Sequence, residues 1–339
     1  MSRPAYGTDR SEPASDLRVA VSPEQVTVAV EGWNSQDLGD PELLLRSLES
    51  LRDQTFPVRD CEILLVRDAD GPDPAELMAS VLPRARVLSI PGFTYYRSKN
   101  LAMREARGEF LALADSDVSY DRGWLDAMLA AFRPGLELVA GRTRYARGFL
   151  FRTVDLCDGG MVLPQDGFTN GFYSHNVVMR RSLFGRVRFD ETLGVSGGGS
   201  TEILRAELAA RGVRPWFVAA AKCEHQLPPF LTKRLRVGSY HVHCRRSSGS
   251  IPGAGLARVP VLAPLLVCSG VLLKTWARVW RRRFELPGKT AAVPAYLGST
   301  AFARAIEAFG ACTYAWAPWL LQKRMGWHDV PTVDAESVF

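Results

Sequence analysis

The sequence predicts an α/β protein built on a mostly parallel, doubly wound sheet. Three observations carry that expectation. Short aliphatic and β-branched runs alternate with helical periodicity over the first 120 residues. Three of these runs stop in clusters of polar residues and the other in Pro91-Gly92. Past residue 250 the composition turns apolar and aromatic, which adds a helical appendage.

The elements follow in order. Residues 1–24, rich in Ser, Pro and charge, are expected to fray. VTVAV at 26–30 is a buried parallel strand, broken by Gly32, Asn34 and Ser35. Asp40 caps a helix with Pro41 in its first turn, and Leu43, Leu44, Ser47, Leu48 and Leu51 form its apolar face. CEILLV at 61–66 is a second strand, stopped by the turn at 67–71. A short helix at 74–82 leads to a strand at 86–90, and a helix at 98–106 leads to a fourth strand at 110–114. That strand ends in Asp115-Ser116-Asp117. Later elements are a helix at 124–132, strands at 137–141, 177–179 and 216–221, a helical turn at 180–184 and a helix at 202–211 stopped by Gly212. Residues 150–175 read as loop-rich.

The chain has 339 residues, 47% of them hydrophobic and 23% charged, which excludes disorder, a collagen or a low-complexity chain. No uncharged apolar run reaches the length of a spanning helix, which excludes a multi-span channel. The net charge of +6 is mildly basic. Arg281, Arg282 and Arg283 follow an apolar run, and Lys233, Arg234, Arg236, Arg245 and Arg246 cluster upstream, a placement that suits an anionic membrane or substrate and equally a solvated basic face. Six cysteines without a CxxC pair, and no secretory-type leader, point to free thiols in a reducing cytosol.

In doubly wound sheets ligands sit at the carboxyl ends of the strands, and the polar clusters at 31–36, 67–70 and 115–117 all fall there. Two carboxylates in a turn after a buried strand suit a hard divalent cation shared with phosphate oxygens. The stretch with Cys223, His225, His241, His243 and Cys244 has a rival reading as a zinc site, although its spacing is not a common zinc pattern. If extended, it would put His241 and His243 on one side.

The ordered series VTVAVEGWN at 26–34, LRSLESLRDQTF at 45–56, EILLVRDAD at 62–70, RSKNLAMREARG at 97–108 and FLALADSD at 110–117 resembles the nucleotide-sugar-binding half of the family 2 glycosyltransferases. Phe189-Asp190-Glu191 and the glycines after it resemble that family's acceptor half, so the likeness spans residues 26–245. It implies a GT-A fold and division of the chain into a nucleotide-sugar half at 25–120, an acceptor half at 121–249 and C-terminal amphipathic or apolar helices at 250–339. It also implies roles. Glu31 and Asp68 hold the nucleoside. Lys99 contacts the diphosphate where the family has Arg, keeping the charge without the fork. Asp115 lies near the ribose, Asp117 binds Mg²⁺ or Mn²⁺, and His225 completes the metal site.

One departure stands out. The family's Glu-Asp pair, whose Asp is the general base, corresponds to Ser200 and Thr201. Glu202, next along at a helix N-terminus, is the candidate base, with Asp190 and Glu191 in reserve. The expectation is an inverting, metal-dependent transfer of a sugar from a nucleotide-diphosphate donor to a glycan or lipid-linked cell-envelope acceptor. A peripheral or monotopic enzyme at the inner face of the cell membrane fits the apolar, basic C-terminal segment, whose tryptophans favour a bilayer interface. A helical pair packed on the main domain is the competing expectation. Without the Glu-Asp pair, a non-catalytic nucleotide-sugar-binding or assembly subunit is the alternative. A nucleotidyltransferase lacks its basic glycine-rich loop here, and no aromatic-basic alternation supports nucleic-acid binding.

Overall fold

The computed structural model describes residues 19–32, 40–71, 73–92, 94–145, 148–158, 165–169, 171–191, 199–226, 230–247, 263–284 and 286–317. The expected breaks at Asn34 and Ser35, the glycines at 197–198, the linker near 251–255 and Trp319 and Trp327 lie outside these residues, as do the side chains of His243, Arg245 and Arg246.

The strands are β1 (Val26–Glu31), β2 (Glu62–Asp68), β3 (Arg86–Ile90), β4 (Phe110–Asp115), β5 (Val118–Tyr120), β6 (Leu138–Tyr145), β7 (Gly167–Phe168), β8 (Val177–Arg180) and β9 (Trp216–His225). Among the described residues they form one sheet in the order β3-β2-β1-β4-β8-β6-β9-β5, with β7 on β9. The β3-β2-β1-β4 half is parallel, as the alternating strands and helices require. β8 runs antiparallel between β4 and β6, and β5 runs antiparallel to β9. The sheet is therefore mixed beyond β4.

Helices α1 (Pro41–Arg52), α2 (Ala75–Val81) and α3 (Tyr95–Glu105) cover the parallel half, and α4 (Trp124–Ala130) packs chiefly on β9, β6 and β8. β1 is buried along its whole length because its two faces feed two cores. Val26, Val28 and Val30 pack with Leu48 and Leu51 of α1 and Trp124 of α4. Ala29 packs on the other side with Tyr96 and Leu101 of α3, and with Leu204 and Leu208 of a later helix. That explains the unbroken apolar run. Asp40 caps α1 by accepting from the Glu42 N–H at 3.0 Å.

The second half departs from the sequence expectation in two places. Residues read as loop contain α5 (Phe149–Asp158). After α6 (Arg181–Phe184) and α7 (Gly199–Ala210), the residues following β9 form α8 (Phe230–Ser247), so the extended placement of His241 and His243 does not hold. The apolar C-terminal segment forms α9 (Ala263–Arg281) and α10 (Val293–Trp316), and α10 packs on α8, α9 and α5. The expected helical pair packed on the main domain is present. No helix among the described residues is long and apolar enough to cross a membrane.

α8 and α10 cross at very short range. A Cβ at Gly238 would lie 1.9 Å from the Glu307 carbonyl oxygen, and one at Gly310 would lie 2.3 Å from the Leu235 carbonyl oxygen. Glycine is required at both positions.

Candidate active site

Backbone register assembles the site. β1 and β4 pair in parallel with Glu31 opposite Asp115, so two strand-end carboxylates stand side by side. The chain turns at Ser116-Asp117 into β5, whose Val118 pairs with His225 of β9. That pairing sets His225 beside Asp117, with Nε2 3.1 Å from Oδ2. The Asp117 carbonyl accepts the Gln226 N–H at 2.9 Å, which locks the turn to the end of β9.

Glu31, Asp115 and Asp117 offer one carboxylate oxygen each within 4.8 Å of one another, and all three residues are buried. Such crowding is unfavourable without positive charge. Burial, then the Asp115 carboxylate, holds Glu31 well above the ordinary carboxylate range; Lys99 opposes this and Asp117 adds to it. The Ser116 N–H donates to Glu31 Oε1 at 3.3 Å.

Lys99 is 1% exposed, with Nζ 2.5 Å from Asp115 Oδ1 and 3.2 Å from the Ser174 carbonyl oxygen. The family resemblance implies a diphosphate contact for it; in the structure it faces the carboxylate cluster. The other Asp115 oxygen accepts from Tyr95 Oη at 2.7 Å. Burial and the same carboxylate push the Tyr95 phenol well above its usual value, so it stays a donor. The Asp115 N–H donates to Tyr120 Oη at 3.0 Å, and that hydroxyl donates to the His175 carbonyl at 2.9 Å. Asp115 is thus held on both carboxylate oxygens and on its backbone.

His175 is a residue the sequence reading missed. Its ring lies 4.4 Å from that of His225 and stacks on Tyr173 at 5.1 Å. Nε2 sits 3.0 Å from Thr143 Oγ1 and Nδ1 3.8 Å from Asp115 Oδ2. Burial first, then His225, holds it well below the ordinary histidine value, so it is neutral near pH 7. The only hint was polar: Ser174-His175-Asn176 directly before an apolar strand. Tyr145, whose ring is 5.9 Å from His225, and Lys233, whose Nζ lies 4.8 Å over the Tyr145 ring, extend the group toward α8.

Cys223 is fully buried, with Sγ 3.6 Å from Thr143 Oγ1; burial pushes its thiol far up. A core thiol of this kind is a poor zinc ligand. The carboxylates fit a hard divalent cation better. They supply oxygen donors in a cluster short of positive charge, and His225 Nδ1 is buried with no hydrogen-bond partner among the described residues.

The remaining candidates lie elsewhere. Asp68 ends β2, and its Oδ1 accepts the Asp70 N–H at 3.1 Å, as a turn-former does. Ser200 and Thr201 are buried hydroxyls of α7: Ser200 Oγ accepts the Asp190 N–H at 2.5 Å and Thr201 Oγ1 is 3.4 Å from Tyr96 Oη. Glu202 is half-buried in the first turn of α7 and makes no hydrogen bond or ion pair with the carboxylate cluster. Asn100 ties the preceding segment to α3: it donates to the Phe189 carbonyl and to Glu191 at 2.8 Å each, and accepts the Phe189 N–H at 2.9 Å.

Comparison with known proteins agrees with this geometry. Residues 34–186 match the family model described as glycosyl transferase family 2. No curated protein sequence matches the chain. Among solved structures the chain is similar to a mannosyltransferase, PcManGT from Pyrobaculum calidifontis, in complex with GDP-Man and Mn²⁺. The TM-score is 0.58 at 18% identity, over 90% of this chain and 91% of that one. The fold is therefore that of a GT-A transferase, and the match over residues 34–186, a little under half of the chain, makes its sheet half similar to glycosyl transferase family 2.

Proposed function

We propose that the protein transfers a sugar from a nucleotide-diphosphate donor to an acceptor hydroxyl with inversion, assisted by Mg²⁺ or Mn²⁺. The observation that carries this is the cluster of Glu31, Asp115 and Asp117 at the carboxyl ends of β1 and β4. The similar mannosyltransferase, in complex with GDP-Man and Mn²⁺, supports the donor class and the metal. Asp117 and His225 would hold the cation. When bound, it supplies the positive charge that a departing diphosphate needs.

The chain's own residues do the rest. Lys99 and Tyr95 fix both oxygens of Asp115, so that carboxylate is oriented before any ligand arrives. Glu31 and Asp68, at the ends of adjacent strands, would flank the nucleoside. Glu202 would take the proton from the acceptor hydroxyl as its oxygen attacks the anomeric carbon from the face opposite the leaving group. One displacement inverts the centre, and the electron pair of the broken bond leaves with the nucleotide diphosphate. The acceptor is a lipid-linked or cell-envelope glycan, delivered at the inner face of the membrane beside the apolar C-terminal helices.

A second reading has one observation in its favour. Ser200 and Thr201 occupy the places of the family's Glu-Asp pair and are committed to structural hydrogen bonds. A chain that binds the donor without transferring it would look the same there.

Thermal melts against a panel of nucleoside diphosphates, with and without Mn²⁺, test the donor site. A Mn²⁺-dependent rise with one base, abolished by Asp117→Asn, is expected. Absence of any rise would overturn the proposal. Glu202→Gln separates the two readings: donor binding should persist while turnover falls about 10²–10⁴-fold. Turnover equal to the parent's would remove Glu202 as the base.

A further inference from the structure

Among the described residues, all ten large apolar side chains that stand exposed belong to α5, α8, α9, α10 or the turn after α9. None lies on α1–α4 or on the strands. On α9, Leu273, Trp276 and Trp280 fall at i, i+3 and i+7, and Phe284 follows. On α10, Phe302, Phe309 and Trp316 fall two turns apart, at 59%, 67% and 59% exposure. Each set is one stripe of its helix.

The other side of α10 is where the polar groups lie. Arg304 and Glu307 are 4% and 2% exposed and paired with one another; Glu307 also pairs with the fully buried Arg234 of α8 at 2.9 Å. Arg304 donates as well to Thr275 of α9 at 2.9 Å and to the Cys157 carbonyl at the end of α5 at 2.5 Å. Every exposed position of α10, from Pro294 and Ala295 through Phe302 and Phe309 to Trp316, is apolar or glycine. A helix in water buries its apolar stripe and exposes its polar one. The middle of α10 does the reverse, as helices facing hydrocarbon do.

Charge identifies the occupant. Residues 263–317 hold seven basic residues against two acidic ones, and Glu307, one of the two, is buried. Lys274, Arg281 and Lys289 are exposed around the stripes. The Arg283 guanidinium lies over the Trp280 and Phe284 rings at 4.9 and 4.4 Å. Aromatic rings ringed by arginine and lysine match the interface of an anionic bilayer. With no helix among the described residues long and apolar enough to span, the bundle would lie in the interface plane.

We infer that the outward stripes of α9 and α10 seat the protein on an anionic phospholipid surface, with the Arg234–Glu307–Arg304 network as the bundle's polar inside. This deepens the membrane part of the proposed function and rests on that part alone; it does not depend on sugar transfer.

The test is flotation of the full chain with vesicles of phosphatidylcholine alone, or with one-third phosphatidylglycerol. The protein should float with the anionic vesicles and far less with the neutral ones. Lys274→Gln, Arg281→Gln and Lys289→Gln together should weaken the partition on the order of 100-fold, at about 1 kcal/mol per basic residue near the surface. Phe302→Ser, Phe309→Ser and Trp316→Ser together should abolish it. Both triple variants should keep the parental melting temperature and nucleotide-induced rise, which shows that the fold and donor half are intact. Three outcomes overturn the inference: parental protein that stays out of the lipid fraction, equal flotation on both vesicles, or a lipid-free dimer that the aromatic variant converts to monomer, which would make a second copy the occupant. Loss of the nucleotide response with flotation unchanged would count against the transferase site and leave this inference standing.

Discussion

Lys99→Met tests whether Lys99 serves the protein or the diphosphate. Its Nζ lies 2.5 Å from Asp115 Oδ1, where Lys99 and Asp115 are each 1% exposed and Glu31 is 2% exposed. Methionine keeps most of the volume and removes the charge. Taking one partner from a buried ion pair costs about 3–5 kcal/mol, against a total stability of about 5–15 kcal/mol. The loss should depend on pH, with a definite sign. Glu31 is raised above its unfolded value even with Lys99 present. A carboxyl raised in this way contributes stability that is present below its unfolded value and is lost as pH rises through the folded one. Removing Lys99 raises it further, so the gap between parent and variant should widen from pH 5 to pH 8 and narrow in acid, where the carboxyls are neutral. Equilibrium urea unfolding at both pH values, in chelator, reads the gap directly. A variant as stable as the parent at pH 8, or a gap of equal size at both, would refute the argument. Unchanged apo stability with a lost nucleotide response would instead return Lys99 to the diphosphate.

Two further substitutions and one labelling experiment probe the frame. Gly238→Ala should cost about 1–3 kcal/mol by overpacking, since its Cβ would sit 1.9 Å from the Glu307 carbonyl; urea unfolding of the full chain should show it, with the nucleotide response kept. Asn100→Ala removes three hydrogen bonds that hold residues 189–191, so a loss of about 1–3 kcal/mol is expected, with a lowered kcat if that segment positions the acceptor half; the same unfolding assay and a KM-against-kcat split measure both. Burial pushes the Cys61 thiol up to about 12, so iodoacetamide at pH 8 should label it in urea and leave it unmodified in the native protein, as read by mass spectrometry.

The parallel half was legible in the sequence because its signals are local. β1, β2 and β4 are dense apolar runs ended by polar turns, and Glu31, Asp115 and Asp117 fall at the ends of β1 and β4. Beyond β4 the decisive information is pairing. β5 is three residues long, too short for periodicity to show, yet its pairing is what sets His225 beside Asp117. α5 begins in an apolar run that glycines and a proline soon follow, and this made the whole stretch look like loop. α8 lacks a simple apolar stripe, because its inner face carries Arg234 and Arg236. A helix whose buried side is charged defeats a reading that looks for apolar faces. His175 and Tyr95 were invisible for a different reason: their roles depend on meeting Asp115 from loops and helices 20 or more residues away in the chain.

The same pairing that builds the site also sets it against the C-terminal bundle. β6 and β9 run parallel and end together, with Tyr145 opposite His225. The chain leaves β6 into α5 and β9 into α8, so the first turns of two bundle helices follow directly from two site strands. Those turns expose Phe149, Leu150 and Leu231 at 46%, 51% and 55%. Two residues past Leu231, Lys233 lies over the Tyr145 ring, which neighbours His225. A water-borne glycan gains nothing from an apolar rim at that position. A sugar carried on a lipid anchor would gain twice, since the rim would accept its apolar end and Lys233 would place a cation beside any phosphate that joins the two. This contiguity is what supports the proposed lipid-linked acceptor over a soluble one. Its consequence is specific: replacing Lys233 with Gln should raise KM for an acceptor bearing a lipid phosphate and leave KM for the donor unchanged, and an equal rise in both would argue that Lys233 acts on the donor side.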